Sequence, residues 1–97
     1  MKTGIRVVVT TDKDRRGVFF GTLAKGSVES KLATLKDARM AVYWTTSTKG
    51  VLGLASTGPM AGSRISPPIP SIDLNGVSSI MECSQSSVKE WESGKWE

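Results

Sequence analysis

The sequence predicts a mainly β (α+β) fold: a small antiparallel sheet or partly open barrel with a short central helix and a C-terminal helix. Three observations carry this. Residues 5–11 form a continuous β-branched run, and the polar stretch 12–16 separates it from a second apolar run, as in a hairpin. Residues 76–83 alternate apolar and polar side chains, the signature of a half-buried strand. Ser84 stands directly before a segment that ends at Gly94, a start and stop pair for a short helix.

In chain order, the first strand spans 5–11, the turn 12–16, and the second strand 17–23. Gly17 closes the turn, and Gly21 inside a strand marks a bulge or a close backbone approach. Gly17 and Gly21 lack the order and context of a phosphate loop and are turn and bulge glycines. Lys25-Gly26-Ser27 is the next turn, and 29–35 alternate as a third strand. Residues 37–44 suit helix or strand, but the bunching of Val42, Tyr43, Trp44 and two threonines selects strand. Thr48 is a candidate N-cap for a short helix that Gly58-Pro59 ends. Residues 60–75 hold Pro67, Pro68 and Pro70 and are expected to be a loop, either functional or a plain extended edge segment. After the strand 76–83, Ser84 caps the terminal helix, with Ser87 where a capping-box glutamate would sit.

With 97 residues and 47 of them apolar or glycine, the chain is expected to form one domain, 1–97. So small a core, without disulfide staples, makes a homo-oligomer the expected source of further stability. The absence of histidine excludes Ser-His-Asp chemistry and histidine-containing zinc sites. The single Cys83 excludes an internal disulfide and suits a reducing compartment, where it is expected to pack as a small core hydrophobe. No apolar run reaches the roughly 18 residues of a membrane span, and Met1-Lys2-Thr3 leads into a strand rather than a signal peptide. A cytoplasmic protein with no membrane partner is expected.

Net charge is +4 but uneven: residues 1–50 carry ten Lys/Arg against four Asp/Glu, and residues 51–97 carry three against five. A basic half suits either plain solubility or an anionic partner, and the cluster Lys13-Asp14-Arg15-Arg16 between two strands is the sharper signal. The nine carboxylates are scattered, Glu90 and Glu92 lie on different sides of the terminal helix, and no two-metal pair is formed. Binding without turnover is therefore expected, with no catalytic residue, metal or cofactor. Strand alternation places Met40, Val42 and Trp44 on a core face and leaves Arg39 and Tyr43 together on the other. Arginine beside an aromatic ring suits a nucleotide, the guanidinium pairing with phosphate and the ring stacking on a base. Packing of Tyr43 against a neighbouring strand, with Arg39 covering it, is the structural alternative. Trp91 and Trp96 are expected to anchor the terminal helix and tail on the sheet.

Residues 17–23 (Gly-Val-Phe-Phe-Gly-Thr-Leu), 38–44 (Ala-Arg-Met-Ala-Val-Tyr-Trp), Leu52-Gly53-Leu54-Ala55 with Gly58-Pro59, and the strand 77–83 ending in Cys83 follow one order, closed by Trp96. This pattern resembles a family of short phage and prophage proteins that constitutes a domain of unknown function. That family's pattern has a second arginine where this chain has Met40, a tryptophan where it has Val42, and a lysine-containing segment in place of the Pro-rich 67–70. The resemblance implies a viral protein of the host cytoplasm. It is compatible with an anti-defence protein of the oligomeric, non-enzymatic kind that sequesters nucleotide-derived immune signals. The functional expectation is a phage binding protein holding an anionic, nucleotide-like small molecule, with Arg15, Arg16 and Arg39 on phosphate, Tyr43 stacking and Arg64 closing over the pocket. The alternatives are a small β-barrel that binds nucleic acid and a protein–protein inhibitor of a host enzyme.

Overall fold

The computed structural model describes residues 2–12 and 17–96, so the turn residues Lys13, Arg15 and Arg16 lie outside the described set. In order, the chain forms β1 (Arg6–Thr11), β2 (Gly17–Ser27), β3 (Leu32–Tyr43), a 3-10 turn (Thr46–Thr48), α1 (Gly50–Ser56), β4 (Arg64–Ile65), β5 (Ile69–Asn75), β6 (Val77–Glu82) and α2 (Gln85–Ser93). Among the described residues this is one antiparallel sheet in which β1, β2 and β3 make a meander. β6 pairs with the outer side of β1, while β4 and β5 share the outer side of β3.

Consecutive strands β5 and β6 thus sit on opposite edges of the sheet, joined by Gly76 alone. The connection works only if the sheet curls until its edges approach. Gly76 has φ +68, its carbonyl accepts from the Asp12 N–H at 3.1 Å, and the next N–H, of Val77, donates to Lys31 O at 3.2 Å. Curling encloses Val7, Val9, Leu23, Leu35, Leu74 and Val77 in a first core. The opposite face carries a second core, in which Val8, Phe20 and Ala41 meet Leu54 of α1 and Trp91 of α2. Both sheet faces are therefore covered, which explains the unbroken apolar run of β1, whose Val7, Val8 and Val9 are all buried.

Several expectations shift. β2 runs on through Lys25-Gly26-Ser27, and the turn falls at 28–31, where Ser27 Oγ accepts from the Ser30 N–H at 3.0 Å. The two strands expected over 29–35 and 37–44 are one strand, β3, with Asp37 at φ +50 in its middle. Gly21 is the close approach expected: a Cβ there would stand 2.8 Å from Lys36 O and 3.1 Å from Leu35 Cβ, where the β2–β3 register also slips. The expected loop 60–75 contains β4 and β5, and Pro70 sits in β5, an edge strand, where its missing N–H removes no interior ladder bond.

The N-cap of α1 is Lys49, in left-handed conformation, rather than Thr48. Thr48 is fully buried, and its hydroxyl accepts from the Met60 N–H at 3.0 Å. The helix ends as expected, with the Gly58 N–H donating to Gly53 O at 2.9 Å and Gly58 at φ +85. Ser84 caps α2 by accepting from the Ser87 N–H at 3.1 Å. Trp91 anchors that helix: fully buried, it stacks on Phe20 at 4.9 Å and donates from Nε1 to Leu54 O at 2.9 Å.

Candidate functional site

The candidate surface grows from the end of β3. There the β3–β4 ladder slips, Ala41 pairing with Ile65 and Tyr43 with Arg64, so that Val42 and Tyr43 together oppose one residue of β4. Such a bulge re-aims side chains. Val42 and Tyr43 both emerge, 50% and 55% exposed, while Ala41 and Ile65 stay in the core. The expected face of Met40, Val42 and Trp44 is thereby corrected at Val42, which is exposed, whereas Trp44 packs half-buried against the second core as expected. Core positions on β3 are Ala33, Leu35, Ala38 and Ala41, because left-handed Asp37 and the slip after Ala41 each break the alternation.

Of the five residues singled out for ligand binding, Tyr43 and Arg64 are brought together as cross-strand partners. A third group joins them. The Arg64 guanidinium carbon lies 5.5 Å from the ring centroid of Trp96, which is 58% exposed rather than anchored on the sheet. Tyr43 pairs across the strands with Arg64, and the Arg64 guanidinium lies over the Trp96 indole, so the three exposed residues form one row. Arg15 and Arg16 lie outside the described residues.

Arg39 stands apart from this row. Its Nε donates to Ser66 O at 2.8 Å, Nη1 to Trp91 O at 2.6 Å and to Glu92 O at 3.1 Å, and Nη2 to Gly94 O at 2.7 Å. Four of its five N–H donors are engaged by carbonyls, mainly those left open at the end of α2. A cation there also complements the helix dipole. Desolvation lowers the Arg39 pKa from its ordinary value, yet a guanidinium stays charged. Arg6 supports the same helix, lying 4.6 Å above the Phe20 ring and donating to Glu92 Oε2 at 3.0 Å. The pairing of Arg39 with phosphate therefore competes with an internal clamp.

Beside the row, on the other flank of the bulge, lies a groove of about 480 Å³. Val18, Met40, Val42, Trp44 and Val51 give it apolar walls, and Asp12 is the charged residue among its described lining groups. Asp12 and Gly17, which flank the basic turn 13–16 in the sequence, both line it. The groove and Trp96 escaped sequence reasoning because each depends on chain segments that meet only through the sheet curl and the C-terminal helix.

Cys83 is half-buried against the second core, and burial raises its thiol pKa above the ordinary value. Among the described residues no three His, Cys, Asp or Glu side chains gather as a metal site, and no helix is long and apolar enough to cross a membrane. A family model described as "Domain of unknown function (DUF6948)" matches residues 4–91. No curated protein and no solved structure matches the chain.

Proposed function

The chain belongs to the DUF6948 family of domains of unknown function, and from that premise we propose that it is a non-enzymatic binding protein for nucleotide ligands. The observation that supports this is the exposed Tyr43–Arg64–Trp96 row, in which Tyr43 pairs across the strands with Arg64 and Arg64 lies over Trp96. Aromatic faces take bases by stacking, and a guanidinium takes phosphate oxygens in bidentate pairs. The basic N-terminal half adds attraction for an anion. The biological setting in this reading is a phage protein of the host cytoplasm, assembled as a homo-oligomer, that counters defence by holding a nucleotide-derived immune signal intact.

The openness of the row favours a second reading, a single strand of nucleic acid tracking over it. Salt separates the two. Each phosphate of a bound single strand contributes a slope of about −0.7 in log affinity against log salt. Titration of the protein with a mononucleotide and with a short single-stranded DNA at two salt concentrations tests both. Tight mononucleotide binding with a shallow slope supports the proposal, and a steep slope with DNA as the sole ligand transfers the row to nucleic acid.

A further inference from the structure

We infer that the outer edge of β6 is an interface with a second copy of this chain, the two β6 strands pairing antiparallel about a two-fold axis. The inference rests on the homo-oligomer of the proposed function, names its surface and its order, and is independent of the ligand.

Among the described residues β6 lies at one end of the strand order and has β1 as its strand partner. The Cys83 N–H donates to Arg6 O at 3.0 Å, and bonding alternates along an antiparallel strand. Ile80 and Glu82 therefore turn both N–H and C=O away from β1, a template on which another strand can add. The register shift of β6 falls at its start, opposite Thr10 and Thr11, and leaves Ser79 to Glu82 regular. β5, at the opposite edge, follows Pro67 and Pro68 and carries Pro70 and Asp73, residues that discourage strand addition. β6 holds no proline and a single charge, Glu82, at its end.

A second copy fits this edge because the two ends of β6 complement each other. At its start the Val77 N–H donates to Lys31 O at 3.2 Å, and the Lys31 N–H donates to Val28 O at 3.2 Å. This end thus carries an exposed lysine beside the exposed Val28 and Leu32. At the far end the exposed Glu82 lines a groove of about 470 Å³ together with Met81, Cys83 and the exposed Leu52 of α1. Antiparallel pairing centred on Ile80 sets Glu82 of one copy opposite Ser78 of the other, so unlike ends meet. The glutamate faces the lysine end, and Val28 and Leu32 come to the groove of Leu52. Parallel pairing would set like charges together. The antiparallel interface is isologous, so each contact is made twice. β4, which carries Arg64, stands at the other end of the strand order, so pairing along β6 does not use the Tyr43–Arg64–Trp96 row.

The test is sedimentation velocity of the full chain over a concentration series, with a mass of two chains expected. Glu82→Lys and Lys31→Glu each set like charges together at both ends, and each is expected to weaken the dimer about tenfold or more. The double variant Glu82→Lys/Lys31→Glu restores opposite charges and is expected to return the dimer constant to within about threefold of the natural one. Leu52→Glu places a charge in the apolar groove and is expected to weaken the dimer about tenfold. Circular dichroism checks that each variant is folded. A natural chain that stays monomeric at every concentration overturns the inference. So does a dimer that none of the three single substitutions weakens, or a double variant no tighter than the single charge reversals. The mononucleotide titration decides the nucleotide reading separately, and that reading stands if the dimer fails.

Discussion

Phe20 of β2 and Trp91 of α2 lie face to face, ring centroids 4.9 Å apart and planes within 5°. This stack joins the sheet to the terminal helix. Trp91→Ala is expected to lower unfolding free energy by about 3–5 kcal/mol. Trp91→Phe keeps a ring on Phe20 but loses part of the buried ring volume and the bond from Nε1 to Leu54 O, an oxygen that Ser87 Oγ still serves at 2.6 Å. Its cost is expected at about 2 kcal/mol, below that of the alanine variant. Urea unfolding of both variants checks the difference.

Arg39 works as a clamp on the carbonyls of Ser66, Trp91, Glu92 and Gly94. Arg39→Met leaves those acceptors without their donor and is expected to cost about 3 kcal/mol. Arg39→Lys is expected to recover less than half, since an ammonium cannot reproduce the planar fork. Nucleotide affinity of the folded variant, measured at low temperature, is expected to stay within about twofold, because the clamp is separate from the Tyr43–Arg64–Trp96 row.

The row itself behaves in the opposite way. Tyr43→Ala and Trp96→Ala remove exposed rings, so each is expected to change stability by no more than about 0.5 kcal/mol. Each is expected to weaken nucleotide binding about tenfold, the loss of one base–aromatic stack. Arg64→Ala weakens nucleotides and spares nucleosides, which carry no phosphate. Thermal melts and titrations on the same samples separate these effects.

Much of the fold was legible in the sequence because its signals are local. The β-branched run of β1, the alternation of β6 and the Ser84 cap of α2 each lie within a few residues. The phase of β3 was not legible. Left-handed Asp37 and the slip between Ala41 and Tyr43 depend on which strands lie alongside. β5 was obscured because Pro70 is tolerated only by virtue of an edge position that is set far away in the chain. Of the site, Tyr43 and Arg64 were legible as residue types. The contact of Arg64 with Trp96 was not, since it is delivered by α2 closing over the sheet.

Cys83 gives a pH dependence of known sign. Burial raises its thiol pKa above the ordinary 9.0, so the unfolded chain releases its proton first. The stability this group contributes is full below that value and is lost as pH rises through the folded-state pKa. Unfolding free energy measured from pH 8 to pH 10.5 is expected to fall more in the natural chain than in Cys83→Ala. Alkylation of the folded protein at neutral pH is expected to be slower than that of an unfolded control.

The most direct test of the central claim is capture and release. The purified chain is mixed with mononucleotides, cyclic dinucleotides, ADP-ribose derivatives and a short single-stranded DNA, washed free of unbound material and denatured by heat. Mass spectrometry then identifies what leaves it. Release of an intact nucleotide, lost when Tyr43 and Arg64 are both replaced by alanine, is the predicted result. Release of a cleaved product contradicts binding without turnover, and recovery of no nucleotide contradicts the account itself.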